Sequence, residues 1–132
     1  MINALDRLLI VNDQQDFSRR IAAIAERLGL SARILSHTLD FTYLMENRSP
    51  GIVSVQMAMS GRQDIEVLEY LEHTRFPGPV LLTGNVSERS LEVAAKVARD
   101  HGVKVVSVLN RSSSAEIIES MLRQVLSLAR AA

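Results

Sequence analysis

A doubly wound α/β fold, with one parallel sheet between two layers of helices, is predicted by three features of this 132-residue chain. Five short apolar runs of strand character alternate with five helical patterns, and no repeat or low-complexity segment interrupts them. The first run, Leu8-Leu9-Ile10-Val11, is unbroken rather than alternating with polar residues, as expected of a strand covered on both faces. Gly29, Pro77-Gly78-Pro79 and Gly102 punctuate the ends of helical stretches and the approach to a strand. Strand–helix alternation of this kind implies right-handed crossovers and a parallel sheet with helices on both sides.

The first strand, 8–11, is ended by Asn12-Asp13. Phe17, Ile21, Ile24 and Leu28 then fall at helical spacing, with Arg19, Arg20, Glu26 and Arg27 on the other side, and Gly29 closes that helix. A short second strand is expected at 32–35, followed by a helix capped by Thr38 and running to about residue 47. The third strand is 51–56 and the third helix runs from 63 to about 73. After the Pro-Gly-Pro turn come the fourth strand, 80–83, and a helix capped by Ser87, reaching His101 and ended by Gly102. The fifth strand is expected at 103–109. Ser113 and Glu116 have the spacing of a capping box for a last helix that reaches Ala129 or beyond. Residues 1–132 are read as a single domain.

Five strands in a chain of this length suit the flavodoxin-like order 2-1-3-4-5. In such sheets the ligand crevice lies beyond the carboxyl ends of the strands, where strands one and three diverge. That places Asn12, Asp13, Gln56, Thr83 and the residues after Leu109 around one pocket.

Composition excludes several classes of function. Lys plus Arg and Asp plus Glu both number 15, so no basic field is available to hold a nucleic-acid backbone. The same neutrality favours association with other proteins or with a second copy. There are no cysteines, hence no disulfide, thiol nucleophile or Cys-based metal site. No apolar run approaches the ~18 residues of a membrane span. Asp6 and Arg7 interrupt any signal-peptide core, so the expected location is cytoplasmic. His37, His73 and His101 lie on separate elements without ligand spacing, and no Gly-rich phosphate loop or Gly-x-Ser-x-Gly elbow occurs.

Several segments resemble bacterial response-regulator receiver domains, and the likeness spans nearly the whole chain. Leu8-Leu9-Ile10-Val11-Asn12-Asp13 is similar to the first strand and its acidic pair, with Asn12 in place of the first acid. Pro50-Gly51-Ile52-Val53-Ser54-Val55-Gln56 resembles the strand that ends in the phosphate-accepting aspartate, with Gln56 at that position. Pro79-Val80-Leu81-Leu82-Thr83-Gly84 resembles the fourth strand and keeps its hydroxyl residue in Thr83. Gly102 to Ser112 is similar to the fifth strand and its Lys-Pro, especially as found beside cyclic-di-GMP phosphodiesterase domains. Arg111 then takes the lysine position and Ser112 the proline position.

The resemblance implies a degenerate receiver, a protein-interaction module rather than an enzyme. Phosphorylatable members cluster three carboxylates with one lysine and recruit magnesium against the excess negative charge. Here Asp13 remains as the one acid of that cluster, facing Arg111. No specific magnesium site and no other cofactor are therefore expected. The Gln56 amide has an acceptor and two donors with which to bridge Arg111, Asp13 and Thr83. Losing carboxylate repulsion is worth on the order of 1 kcal/mol per relieved pair. Val108 stands where active relatives carry an inward-turning aromatic, so Thr83 reads as a strand-end hydrogen bonder. A cis peptide before Ser112 would cost roughly 2.5–4 kcal/mol, so a trans loop is expected there.

Two alternatives remain open on the sequence. One is phosphorylation at a non-standard acid, Asp64 or Asp13, although Asp64 also reads as a first-turn helix charge and Asp13, with Asp16, as a helix N-terminus. The other is a small-ligand sensor using the strand-end pocket. For partners, Ile117, Ile118, Met121, Leu122, Val125, Leu126 and Leu128 exceed the single stripe a helix needs to pack on a sheet. Val108, Ile117, Met121 and Val125 are the expected partner face, serving a protein partner, a fused effector domain or a homodimer.

Overall fold

The computed structural model describes residues 4–59 and 62–131. A short 3-10 turn, Ala4–Asp6, precedes β1 (Arg7–Val11), α1 (Gln15–Arg27), β2 (Ser31–Leu35), α2 (Phe41–Asn47) and β3 (Ile52–Gln56). Then follow α3 (Gln63–His73), β4 (Val80–Gly84), α4 (Glu88–Asp100), β5 (Val105–Asn110) and α5 (Ala115–Ala131). The sheet is parallel throughout, in the order β2-β1-β3-β4-β5. The fold class and strand order expected from the apolar runs are the observed ones.

Each strand divides its side chains between two cores, because successive residues point to opposite faces. Leu8, Ile10, Ile52 and Leu81 pack with α1 and α5, through Phe17, Ile21, Ile118 and Leu122. Leu9, Val11, Val53, Val55 and Leu82 pack with α2, α3 and α4, through Phe41, Leu44, Val67, Leu71 and Leu91. The unbroken apolar runs are thus explained by burial on both faces. Phe41 also meets Tyr70 edge-on, with ring centroids 5.2 Å apart, which ties α2 to α3.

Helix ends follow local chemistry at several termini. Gly29 and Gly102 have φ near +88° and +89°, so each closes its helix in the left-handed region. The next residues, Leu30 and Val103, donate back to Ala25 and Ala98 and bury their side chains. Ser87 caps α4 by accepting from the Ser90 amide. Two expected caps are displaced. Ser114, not Ser113, accepts from the Ile117 amide at the start of α5. The Thr38 hydroxyl donates to Glu66 and its amide to Gln63, so Thr38 fastens the loop before α2 to the start of α3.

The fifth strand departs most from expectation. It begins at Val105 rather than 103 and extends through Asn110. Its pairing with β4 slips between Val80 and Leu81, whose partners are Val105 and Ser107, so Val106 is an extra, exposed residue. One inserted residue reverses the side-chain alternation beyond it. Ser107 therefore turns toward α5, where its hydroxyl meets the Met121 sulfur, and Val108 turns into the opposite core. This corrects the expected partner face. Val108 is 6% exposed and Val125 0%, both internal, and Met121 is half-buried. Ile117 alone of the four is exposed. No helix among the described residues is long and apolar enough to cross a membrane.

Candidate functional site

Three strand ends meet where the sequence places the crevice. Asn12 follows β1, Gln56 ends β3, and Thr83 is its register partner on β4. All three are buried, Gln56 to 3% exposure. Buried polar groups need partners, and here backbone amides supply most of them. The Asp13 backbone N–H donates to Gln56 Oε1 at 2.6 Å. Asn12 Nδ2 points to Thr83 Oγ1 at a long 3.5 Å, while Asn12 Oδ1 accepts from the Gln14 amide at 2.7 Å. The Met57 amide donates to the Thr83 carbonyl at 2.7 Å, joining the β3 and β4 exits.

The bridge expected of Gln56 is therefore narrower than the sequence suggested. Among the described residues its amide reaches the Asp13 backbone, and no hydrogen bond links it to Arg111 or to the Thr83 side chain. The expected pairing of Asp13 with Arg111 is also absent among the described residues. The reason lies in the chain path. Asp13 presents its amide to the site, and Arg111 is held through its backbone: its N–H donates to Gly84 and its carbonyl accepts from Arg20. The Asn12 side chain takes the Gln14 amide in the turn that leads into α1, and Asp16 supplies the first-turn charge.

Asp64 has a definite structural task. It is 7% exposed in the first turn of α3, and its Oδ2 accepts from the Ala58 amide at 2.9 Å. Ala58 is left-handed, with φ of 61°, a conformation that costs a residue bearing a Cβ. The carboxylate thus holds a strained turn directly after Gln56. Replacing Asp64 by alanine should lower unfolding free energy by about 1.5–3 kcal/mol, the usual loss for a hydrogen bond to a charged group. Urea denaturation of the two proteins reads this difference, and an unchanged midpoint would show that the turn does not depend on the carboxylate.

Two residues that shape this end of the sheet were not singled out in the sequence. Arg20, grouped with the solvent side of α1, donates from Nη1 to Arg111 O at 3.3 Å and from Nη2 to Ser113 O at 2.7 Å. Asn110, the last residue of β5, donates through Nδ2 to the Val86 carbonyl. Its Oδ1 accepts from the amide and hydroxyl of Ser112. An asparagine followed two residues later by serine is the available signal, because Asn readily closes a turn on the amide two residues on. The β5–α5 loop is set by these polar contacts, and no peptide among the described residues is cis.

The magnesium that the receiver resemblance implies does not fit this donor set. Among the described residues Asp13 is the carboxylate next to these strand ends, Asp64 being engaged with the Ala58 amide, and the oxygens of Gln56 and Asn12 already accept backbone amides. Magnesium is ordinarily held by one or two carboxylates together with substrate phosphate oxygens.

With this geometry in place, the molecule can be set beside known structures. It is similar to a signal receiver domain from Vibrio parahaemolyticus, at TM-score 0.78 and 14% identity over 95% of this chain and 92% of that one. A response regulator from Colwellia psychrerythraea matches at TM-score 0.77 and 22% identity, covering 93% of this chain and 98% of that one. NtrX from Brucella abortus matches at TM-score 0.76 and 16% identity, covering 95% of this chain but 27% of that longer one. The fold is that of receiver domains. No protein-family model and no curated protein matches the sequence.

Proposed function

We propose that this chain is a receiver-like domain of a bacterial two-component signalling protein, working as a phosphorylation-independent protein-interaction module. The observation that carries the reading is the state of Gln56. It occupies the end of the central strand, is buried, and has its oxygen committed to the Asp13 amide at 2.6 Å. A carboxamide has no anionic oxygen with which to attack phosphorus, and this one is also held in place. Asp64, the alternative acceptor, is engaged in holding the Ala58 turn, which weighs against phosphorylation there.

In this reading the domain does no phosphoryl-transfer chemistry and presents a fixed surface in the cytoplasm. The surface best suited to a partner is the β5 edge with its two flanking helices. Val106 on β5 and Ile117 on α5 are exposed there, whereas the exposed Val97 of α4 lines a cleft with Ile65 and Leu68 on the α3 side. The bulge in β5 contributes directly, because it leaves Val106 exposed. A protein partner, a linked effector domain or a second copy would cover these side chains.

Intact-mass measurement after incubation with acetyl phosphate and magnesium tests the proposal. Wild-type protein is expected to gain no phosphoryl group. A phosphoryl adduct that is lost in Asp13→Asn or in Asp64→Asn would replace this reading with phosphorylation at a non-standard acid.

A further inference from the structure

Three arginines surround one cleft at the amino end of the sheet, opposite the end that carries Gln56. Arg7 opens β1 and is the register partner of Ser31, which opens β2; Leu9 is likewise paired with Arg33. Alternate residues on a strand share a face. Arg7 therefore lies on the face of Leu9 and Val11, and Arg33 on the face of Leu35, the side packed by α2. α2 has only 7 residues, and Arg48 follows its last turn. Arg7, Ser31, Arg33, Leu44, Arg48 and Pro50 line a cleft of about 110 Å³.

None of these three guanidiniums has a hydrogen bond or ion pair among the described residues. Elsewhere Arg27, Lys96, Arg123 and Arg130 each meet a carboxylate. Three uncompensated like charges around one concavity repel one another, and an anion placed between them relieves that repulsion. Guanidinium forks match phosphate oxygens in pairs. The buried Leu9 and Leu44 beside them lower the local dielectric and so strengthen the attraction. The space is smaller than the roughly 300–1,000 Å³ of pockets that enclose drug-sized ligands, so it suits a compact head group with the remainder outside.

We propose that this cleft binds the phosphoryl group of a small phosphate monoester, with Arg7, Arg33 and Arg48 around its oxygens. Because it lies at the amino ends of the strands, outside the usual crevice of such sheets, it is independent of Gln56 and of the reading given above.

The test follows backbone amide shifts during titration with glycerol 3-phosphate, with inorganic phosphate, and with chloride at matched ionic strength. Saturable shifts at Ser31, Arg33 and Arg48 are expected with glycerol 3-phosphate. Binding should weaken roughly tenfold or more in the double variant R33Q/R48Q, whose exposed positions leave folding intact, and should be unchanged in Gln56→Ala. Shifts that chloride reproduces, that never saturate, or that centre on Asn12 and Thr83 overturn the proposal. Saturation by inorganic phosphate with the ester excluded overturns the assignment to a monoester.

Discussion

Replacing Phe17 by alanine is expected to lower the unfolding free energy by about 3–5 kcal/mol, the range for deleting a buried aromatic ring. For a chain of this size the melting temperature falls on the order of 10–20 °C. Phe17 is 1% exposed in the core shared by β1, α1 and α5, so the cavity it would leave has no solvent-side route to collapse. A second consequence reaches the strand-end site. The Arg20 guanidinium carbon sits 5.8 Å from the Phe17 ring centroid, and the same guanidinium holds the carbonyls of Arg111 and Ser113. Losing the ring removes a surface that positions Arg20, so the β5–α5 loop should exchange its amide protons faster as well. Chemical denaturation with hydrogen exchange separates the two effects. A loss below about 1 kcal/mol would mean that Phe17 is not packed as described.

Placing a carboxylate at position 56 is expected to destabilise the unliganded domain. Gln56→Asp shortens the side chain by one methylene and withdraws the acceptor from the part-buried Asp13 amide, at a cost of about 1–3 kcal/mol for a donor left unpaired. It also sets a second carboxylate beside Asp13, adding repulsion on the order of 1 kcal/mol. The combined loss is about 2–4 kcal/mol. Magnesium with beryllofluoride should then recover part of it in the variant, because two carboxylates can share the cation. A ligand at a hundredfold excess over its dissociation constant contributes about 2.7 kcal/mol. Wild-type protein is expected to show no such gain. Thermal unfolding of both proteins with and without the ligands reads the difference. Stabilisation of the wild type would mean that a phosphate-like ligand enters the site despite Gln56, and the closed-site reading would fall.

These predictions rest on contacts of unequal visibility in the sequence. The strands announce themselves because burial on both faces demands continuous apolar residues, as at Leu8-Leu9-Ile10-Val11. Gly29 and Gly102 mark helix ends because a left-handed backbone without steric cost requires glycine. Asn12, Gln56 and Thr83 could be assigned to one place because a parallel sheet brings its carboxyl ends together. Their hydrogen bonds could not be assigned, since each side chain has several partners within reach and the choice depends on fractions of an ångström. The Gln56 oxygen went to a backbone amide, which no side-chain pattern reveals. Arg20 and Arg111 were equally invisible as partners, because a guanidinium on a solvent-facing helix can meet a carbonyl 91 positions along the chain.

The apolar periodicity by itself determined the α/β alternation and the parallel sheet covered on both faces, because these follow from which residues must leave water, while the order β2-β1-β3-β4-β5 is the one that five-strand doubly wound folds commonly take. The identity of residue 56 by itself places a carboxamide, which has no anionic oxygen, at the end of β3. Only the tertiary structure decided which apolar residues remain outside. A single extra residue at Val106 turned Val108 inward, and the packing of α5 took Val125 fully into the core. Register and helix rotation are relations between elements. They are set by how side chains from several segments fill shared space, and that information is not contained in any one segment.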